Sequence, residues 1–210
     1  MNRSRHTCSV CLLLFLASGC ALGTTGVQIG HSPFEASAVT ARGLLAVAEF
    51  TDSRPPERRE FIGAKRNVFG MVLGHIAAPE DETLEALLTR YFVEALEQTG
   101  CTVTLVSLHE IKLLEETPLL EGSIDQFWLD LYTATWHNIR VSLSLREPPK
   151  PELLWQRTIE GSETNILWLG LKSEFEKVIR QALDKALAGA IAEFESEEFA
   201  SHFTVTQVEP

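Results

Sequence analysis

The residue best placed for covalent chemistry is Cys20, whose thiol follows Ser18 and Gly19 at the end of the apolar run Cys11 to Ala17. With the basic Arg3 and Arg5 ahead of it, that run has the order of a secretory signal. It is much shorter than the roughly 20 residues that cross a bilayer core. A plain secretory signal cut near Ala21 is one reading; a signal that ends on a modified Cys20 is the preferred one. Of the other cysteines, Cys8 and Cys11 leave with the signal, so Cys101 has no internal partner and no disulfide is expected. Cys101 follows Gly100 and opens an apolar run, which suits a buried structural thiol better than a nucleophile. His75, His109 and His137 are isolated from one another and from any cysteine pair, so no metal site is expected. There is no Gly-x-Ser-x-Gly elbow, and the many carboxylates single out no pair. No catalytic residue and no cofactor are therefore assigned, and the chain is not expected to be an enzyme.

Recognition chemistry has one candidate. Arg54, Arg58, Arg59, Lys65 and Arg66 cluster in an otherwise acidic chain, alongside Phe61, Ile62, Val68, Phe69, Met71, Val72, Leu73 and Ile76, spaced by Gly63, Gly70 and Gly74. A long connection of this kind between Pro55 and Pro79 is unusual unless it is functional. One reading is a basic-apolar loop that meets an anionic or amphiphilic partner. The other is a short hairpin whose apolar side completes the core while its arginines pair with carboxylates. The glycines do not form a phosphate-binding loop, because no Gly-Lys-Ser or Gly-Lys-Thr follows them.

The elements that must position these residues are readable in part. Leu44 to Phe50 suits a strand buried on both faces. From near Asp81, Leu84, Leu87, Leu88, Tyr91, Phe92, Ala95 and Leu96 repeat at steps of three and four, a helical stripe that Gly100 stops. Cys101 to Val106 reads as the next strand. Leu119 to Tyr132 reads as a long strand whose apolar phase slips, which predicts a bulge near Asp125 or Gln126. Ile139, Val141, Leu143 and Leu145 alternate cleanly with polar residues, and Leu153, Trp155, Arg157 and Ile159 continue as a third strand beyond the prolines at 148, 149 and 151. Arg157 on the apolar side is expected either to pair with Asp125 or Glu121 or to mark a slip in the strand's phase. Ser173 with Glu176 suggests a capping box for a closing helix with an alanine-rich stripe from Phe175 to Phe194.

The whole chain has 18 basic and 29 acidic residues, a net charge of −11, and loses two more basic residues with the signal. That balance argues against nucleic acid as a partner. The expected organisation is a signal peptide at 1–19, a modified terminus and flexible tether at 20–43, a domain at 44–197 and a tail at 198–210. The tether residues are rich in Gly, Ser, Thr and Ala, and about 20 such residues span about 25 Å. The expected fold class is α+β, a single domain with a mixed or antiparallel sheet of about four to five strands and two long helices packed on it.

Two resemblances add to this. Leu16 to Cys20 resembles the lipobox of bacterial lipoproteins, with Ala17 where Leu is the usual residue. The resemblance implies a diacylglyceryl Cys20, an acylated amino terminus such as palmitate supplies, and a firm hold on a membrane, since two or more chains anchor stably. Ala21, not Asp, after the cysteine implies the outer membrane, facing the periplasm. Further on, Phe50-Thr51-Asp52-Ser53-Arg54-Pro55, Ile62-Gly63, Arg66-Asn67, Phe69-Gly70, Leu120-Glu121-Gly122-Ser123-Ile124 and Phe127-Trp128 resemble the YajG-type family of envelope lipoproteins. More distantly the element order is similar to auxiliary lipoproteins of envelope transporters and to lipoprotein activators of peptidoglycan synthases. These likenesses imply a noncatalytic periplasmic adaptor with an envelope protein partner. The alternative is a module that takes a lipid or glycan ligand between the loop and the tryptophans Trp128, Trp136, Trp155 and Trp168.

Overall fold

Leu119–Leu131 is long enough, and apolar enough on alternate positions, to serve several partners at once, and the fold is built around it. A computed structural model of the chain describes residues 22–34, 42–107, 110–113, 117–132, 134–147, 152–166 and 171–202, with the side chains of 112 and 113 excepted. In chain order the strands are β1 (Thr25–Gly26), β2 (Leu44–Ala48), β3 (Thr51–Asp52), β4 (Gly63–Arg66), β5 (Val72–Ala77), β6 (Thr102–Val106), β7 (Leu119–Leu131), β8 (Thr135–Glu147) and β9 (Glu152–Asn165). The helices are α1 (Leu84–Gln98), α2 (Lys172–Glu195) and the short α3 (Glu197–Ala200).

One edge of β7 pairs antiparallel with β8 along its length, and β8 with β9. The other edge is shared, all in parallel: β2 meets Leu119 and Leu120, β3 meets Ser123 and Ile124, and β4 meets Leu129, Asp130 and Leu131. β6 extends the sheet beyond β2, while β5 and then β1 extend it beyond β4. The result is a nine-stranded mixed sheet, which corrects the expected four to five strands with two long helices as the whole of the architecture. The strands not foreseen are two to six residues long and hold their register through β7 or its neighbours, so they show no alternation of their own.

The slip in β7 lies between Ile124 and Gln126, where the bulge was expected. It switches the buried set from Leu120 and Ile124 to Phe127 and Leu129 without leaving the core face. The α1 stripe is buried as its spacing requires; Thr83 caps the helix by accepting from the Ala86 N–H, and Gly100 at φ +86° turns the chain into β6. On α2, Ala182 and Ala186 let the helix backbone come against Gly161 of β9, where any Cβ would overlap the Ala182 carbonyl. The expected Ser173–Glu176 cap is replaced by Glu174, which accepts from the Leu171 N–H, while Glu176 accepts from the Gln28 N–H. Arg157 pairs with Glu193 and Glu198, on α2 and α3, and not with Asp125 or Glu121.

The flexible tether is corrected for residues 22–34. Val27 and Ile29 are core residues, the Tyr91 hydroxyl donates to the Ile29 carbonyl, His31 meets Glu94 at 2.8 Å, and Ser32 donates twice to Asp184. This segment therefore lies across both long helices. Beyond the expected end of the domain, Phe199 is buried against Trp155 and Phe194.

The strongest polar tie is Arg54, 2% exposed. Its Nε and Nη2 donate to the two carboxylate oxygens of Asp52 at 2.9 and 2.7 Å, Nη1 to the carbonyls of Phe61 and Phe127, and Nη2 also to the carbonyl of Arg59. Burial pushes the Asp52 carboxyl up, but the hydrogen bonds and charge of Arg54, helped by Arg59, outweigh it and hold the group below its ordinary range. Arg54→Met should lower the urea midpoint by the equivalent of about 3–5 kcal/mol, because it strands a buried carboxylate and three carbonyls. The exposed pair Arg140–Glu160 provides the control, and Arg140→Met should lose less than about 1 kcal/mol.

Candidate functional site

The expected recognition residues are brought into one region, but most of their charge is turned inward. Arg54 is the buried tie just described. Lys65, also buried, reaches over Gly74 of β5 to donate from Nζ to the Thr25 hydroxyl at 2.9 Å. Arg66 donates to Asp130 and to the Gly70 carbonyl, and its guanidinium stands 5.9 Å from the Tyr132 ring centroid. Arg59 is exposed and donates to the Arg54 carbonyl, whereas Arg58, also exposed, lies 4.9 Å over the Trp128 ring. The segment contains a hairpin in which Arg54 and Arg66 meet carboxylates of the chain, while Arg58 and Arg59 stay on the surface. Its apolar tip, however, does not complete the core. Cys20 lies outside the described residues.

That tip is built by Asn67. Its backbone N–H and the Met71 carbonyl close the loop at 3.0 Å, its carbonyl accepts from the Gly70 N–H, and its side-chain oxygen accepts from the Phe69 and Met71 N–H groups. Gly70 takes φ +82°, a left-handed conformation that disfavours a side chain. Val68 and Phe69 are left 75% and 83% exposed, with Met71 and Val72 beside them on the surface. At the same end of the sheet Tyr132 and Trp136 are half exposed and meet edge to face, with ring centroids 6.0 Å apart. Leu22 belongs to this end too: the Gly23 N–H donates to the Leu73 carbonyl, and a Cβ on Gly74 would overlap the Gly23 carbonyl. Asn67 and Gly70 are of the residue types that favour a tight turn. What the spacing could not tell is that the apolar residues inside the turn point away from the core.

The remaining candidates separate. Trp128 and Trp155 are buried packing residues and Trp136 is on the surface, so these three described tryptophans do not line one cavity; Trp168 lies outside the described residues. A cleft of about 340 Å³ is lined by Glu121, Ser123, Ser142 and Arg146 together with Ile111, Leu143 and Leu153, and Ser123 and Ser142 both donate to Asp125, the extra residue of the bulge. Burial pushes the Cys101 thiol up, which keeps it protonated. Among the described residues no group of three or more His, Cys, Asp or Glu is placed to hold a metal. His75 stacks on Phe61, and His109 lies outside the described residues.

No known protein family matches the chain, and no curated protein matches it in sequence. Solved structures do match in shape. A neuraminyllactose-binding hemagglutinin homolog from Helicobacter pylori is 13% identical, with 84% of this chain and 96% of that one covered at a TM-score of 0.53, so the two share a fold. Protein XCC0632 from Xanthomonas campestris, a DUF330 protein, is 14% identical over 82% of this chain and 92% of its own, at 0.49. Lipoprotein GNA1162 from Neisseria meningitidis is 10% identical over 65% of this chain and 94% of its own, at 0.37.

His137 titrates far from its ordinary range. It is fully buried beneath Phe127, and burial lowers its pKa to about 3, against a smaller opposing pull from the Trp128 backbone. Above pH 6.5 both folded and unfolded chains hold a neutral imidazole. Below it the unfolded chain takes up a proton that the folded chain refuses until about pH 3, so this group lowers stability by up to ~1.4 kcal/mol per pH unit across that window. His137→Leu should flatten the fall of unfolding free energy between pH 6 and about 4, read from urea melts at each pH; an unchanged slope would contradict the assignment.

Proposed function

We propose that the chain is a bacterial envelope lipoprotein whose domain is a noncatalytic adaptor in an envelope protein complex. The signal at 1–19 is removed, Cys20 carries the diacylglyceryl group and an acylated amino terminus, and the domain faces the periplasm from the outer membrane. The carrying observation is the place of Cys20: it closes an apolar run behind Ser18 and Gly19, and Gly23, three residues on, is already hydrogen-bonded to Leu73 of β5. Acyl chains at that position hold the domain at the membrane by its first strand.

Two features suit the partner contact. Arg58 and Arg59 stay exposed on the connection between β3 and β4, and β6 pairs with β2 on one edge, its other edge having no strand partner among the described residues. Leu105 on that strand is 59% exposed, and an open edge of this kind accepts an added strand. β2 and β4 meet β7 about ten residues apart, so the open edge stands about 30 Å from the hairpin end.

Cys20→Ser should leave an unprocessed precursor with no incorporated palmitate; normal processing and labelling would sink the lipoprotein reading. Arg58→Glu should reduce the yield of an in-cell crosslink to the envelope partner several-fold while removing less than about 1 kcal/mol of stability, the worth of an exposed cation–aromatic contact. A crosslink unchanged by Arg58→Glu and by Leu105→Lys together would exclude both surfaces as the partner site.

A further inference from the structure

We propose that the β4–β5 hairpin tip seats in the surface of the same bilayer that holds the Cys20 acyl chains, so that the domain stands on the membrane by one end of its sheet. This rests on the lipid-anchor reading of Cys20. The reach of the chain commits the tip to lipid. Cys20 is two residues from Leu22, at most about 7 Å along an extended backbone. Leu22 is followed by Gly23, whose N–H is bonded to Leu73, the neighbour of the tip residue Val72. Acyl chains on Cys20 therefore enter the membrane beside the tip.

The tip has the chemistry of a membrane contact. Val68, Phe69, Met71 and Val72 form an exposed apolar group next to the 61% exposed Leu22, larger than scattered surface apolars require. Entry into a low-dielectric layer also demands that backbone donors be satisfied internally. Here Asn67 accepts from the N–H groups of Phe69, Gly70 and Met71 within the loop itself. Behind the tip, Tyr132 and Trp136 are half exposed with Arg66 over the Tyr132 ring, the residue types that settle at the level of lipid headgroups. Arg66 is held by Asp130, so no unpaired charge from this pair opposes the approach.

The test uses the full chain, produced with its signal, purified in its processed form and reconstituted in vesicles of phosphatidylethanolamine and phosphatidylglycerol containing brominated acyl chains. An environment-sensitive fluorophore is placed at Phe69→Cys, with Val68→Cys as the second tip variant and Glu160→Cys on the exposed face of β9 as the control; Cys101 is buried. Both tip probes should shift to the blue and lose fluorescence to the brominated chains, while the probe at 160 should do neither. Palmitate incorporation at Cys20 is scored on the same preparation. Labelled Cys20 with unquenched tip probes overturns the seating and leaves the anchor reading intact. Absent label overturns the anchor reading, and the proposal with it. Crosslinking of position 69 to position 69 of another molecule, without quenching, assigns the tip to a second copy and likewise overturns the proposal.

Discussion

A guanidinium without water around it dictates the geometry of half the sheet. All five N–H groups of Arg54 must find acceptors inside the protein, and they find them on Asp52 of β3, on the carbonyls of Arg59 and Phe61 ahead of β4, and on Phe127 of β7. The acceptors come from three separate stretches of chain, so satisfying one fixed planar group brings β3, the turn after it and β4 to the same edge of β7. A burial this complete is stable only with every donor matched. The hairpin that carries the apolar tip therefore projects from a clamped base.

The amino-terminal segment depends on that base. β5 is held by β4, and β1 by β5, so the position of residues 22–34 is set through two strands from the edge of β7. Lys65 spans β5 to reach Thr25, and the close approach of Gly23 to Gly74 leaves no room for a side chain between them. From there Val27 and Ile29 turn into the core beneath both long helices. The entry point of the chain and the exposed tip are neighbours because the same short ladder places both.

The long elements were legible because each carries its own periodicity. The stripe of α1, the alternation in β8 and the phase slip in β7 each repeat over enough residues to identify the element and, for β7, the bulge. β1, β3 and β4 carry no such pattern: two to four residues, with Thr, Gly, Asp, Lys and Arg among them, become strands only when a distant parallel partner supplies the hydrogen bonds. Val27 and Ile29 are too few to mark a buried segment within polar surroundings, hence the expectation of a tether. The arginine cluster was visible, but charge spacing says nothing of direction, and Arg54 and Arg66 face carboxylates on their own chain. Arg157 shows the same limit, since its partners come from α2 and α3, 36 and 41 residues away.

The parallel seating of β1 on β5 also determines how the molecule bears load. A pull on Gly23 along the axis of β1 crosses its hydrogen bonds to β5, so the Gly23–Leu73 and Val27–Ala77 bonds are sheared together and not opened one at a time. Behind them the bulk of Val27 and Ile29, lodged under Tyr91 and its neighbours, acts as a stop. Tension applied at the amino-terminal end of the fold thus meets its resistance in residues 22–34 and in their ties to the two long helices.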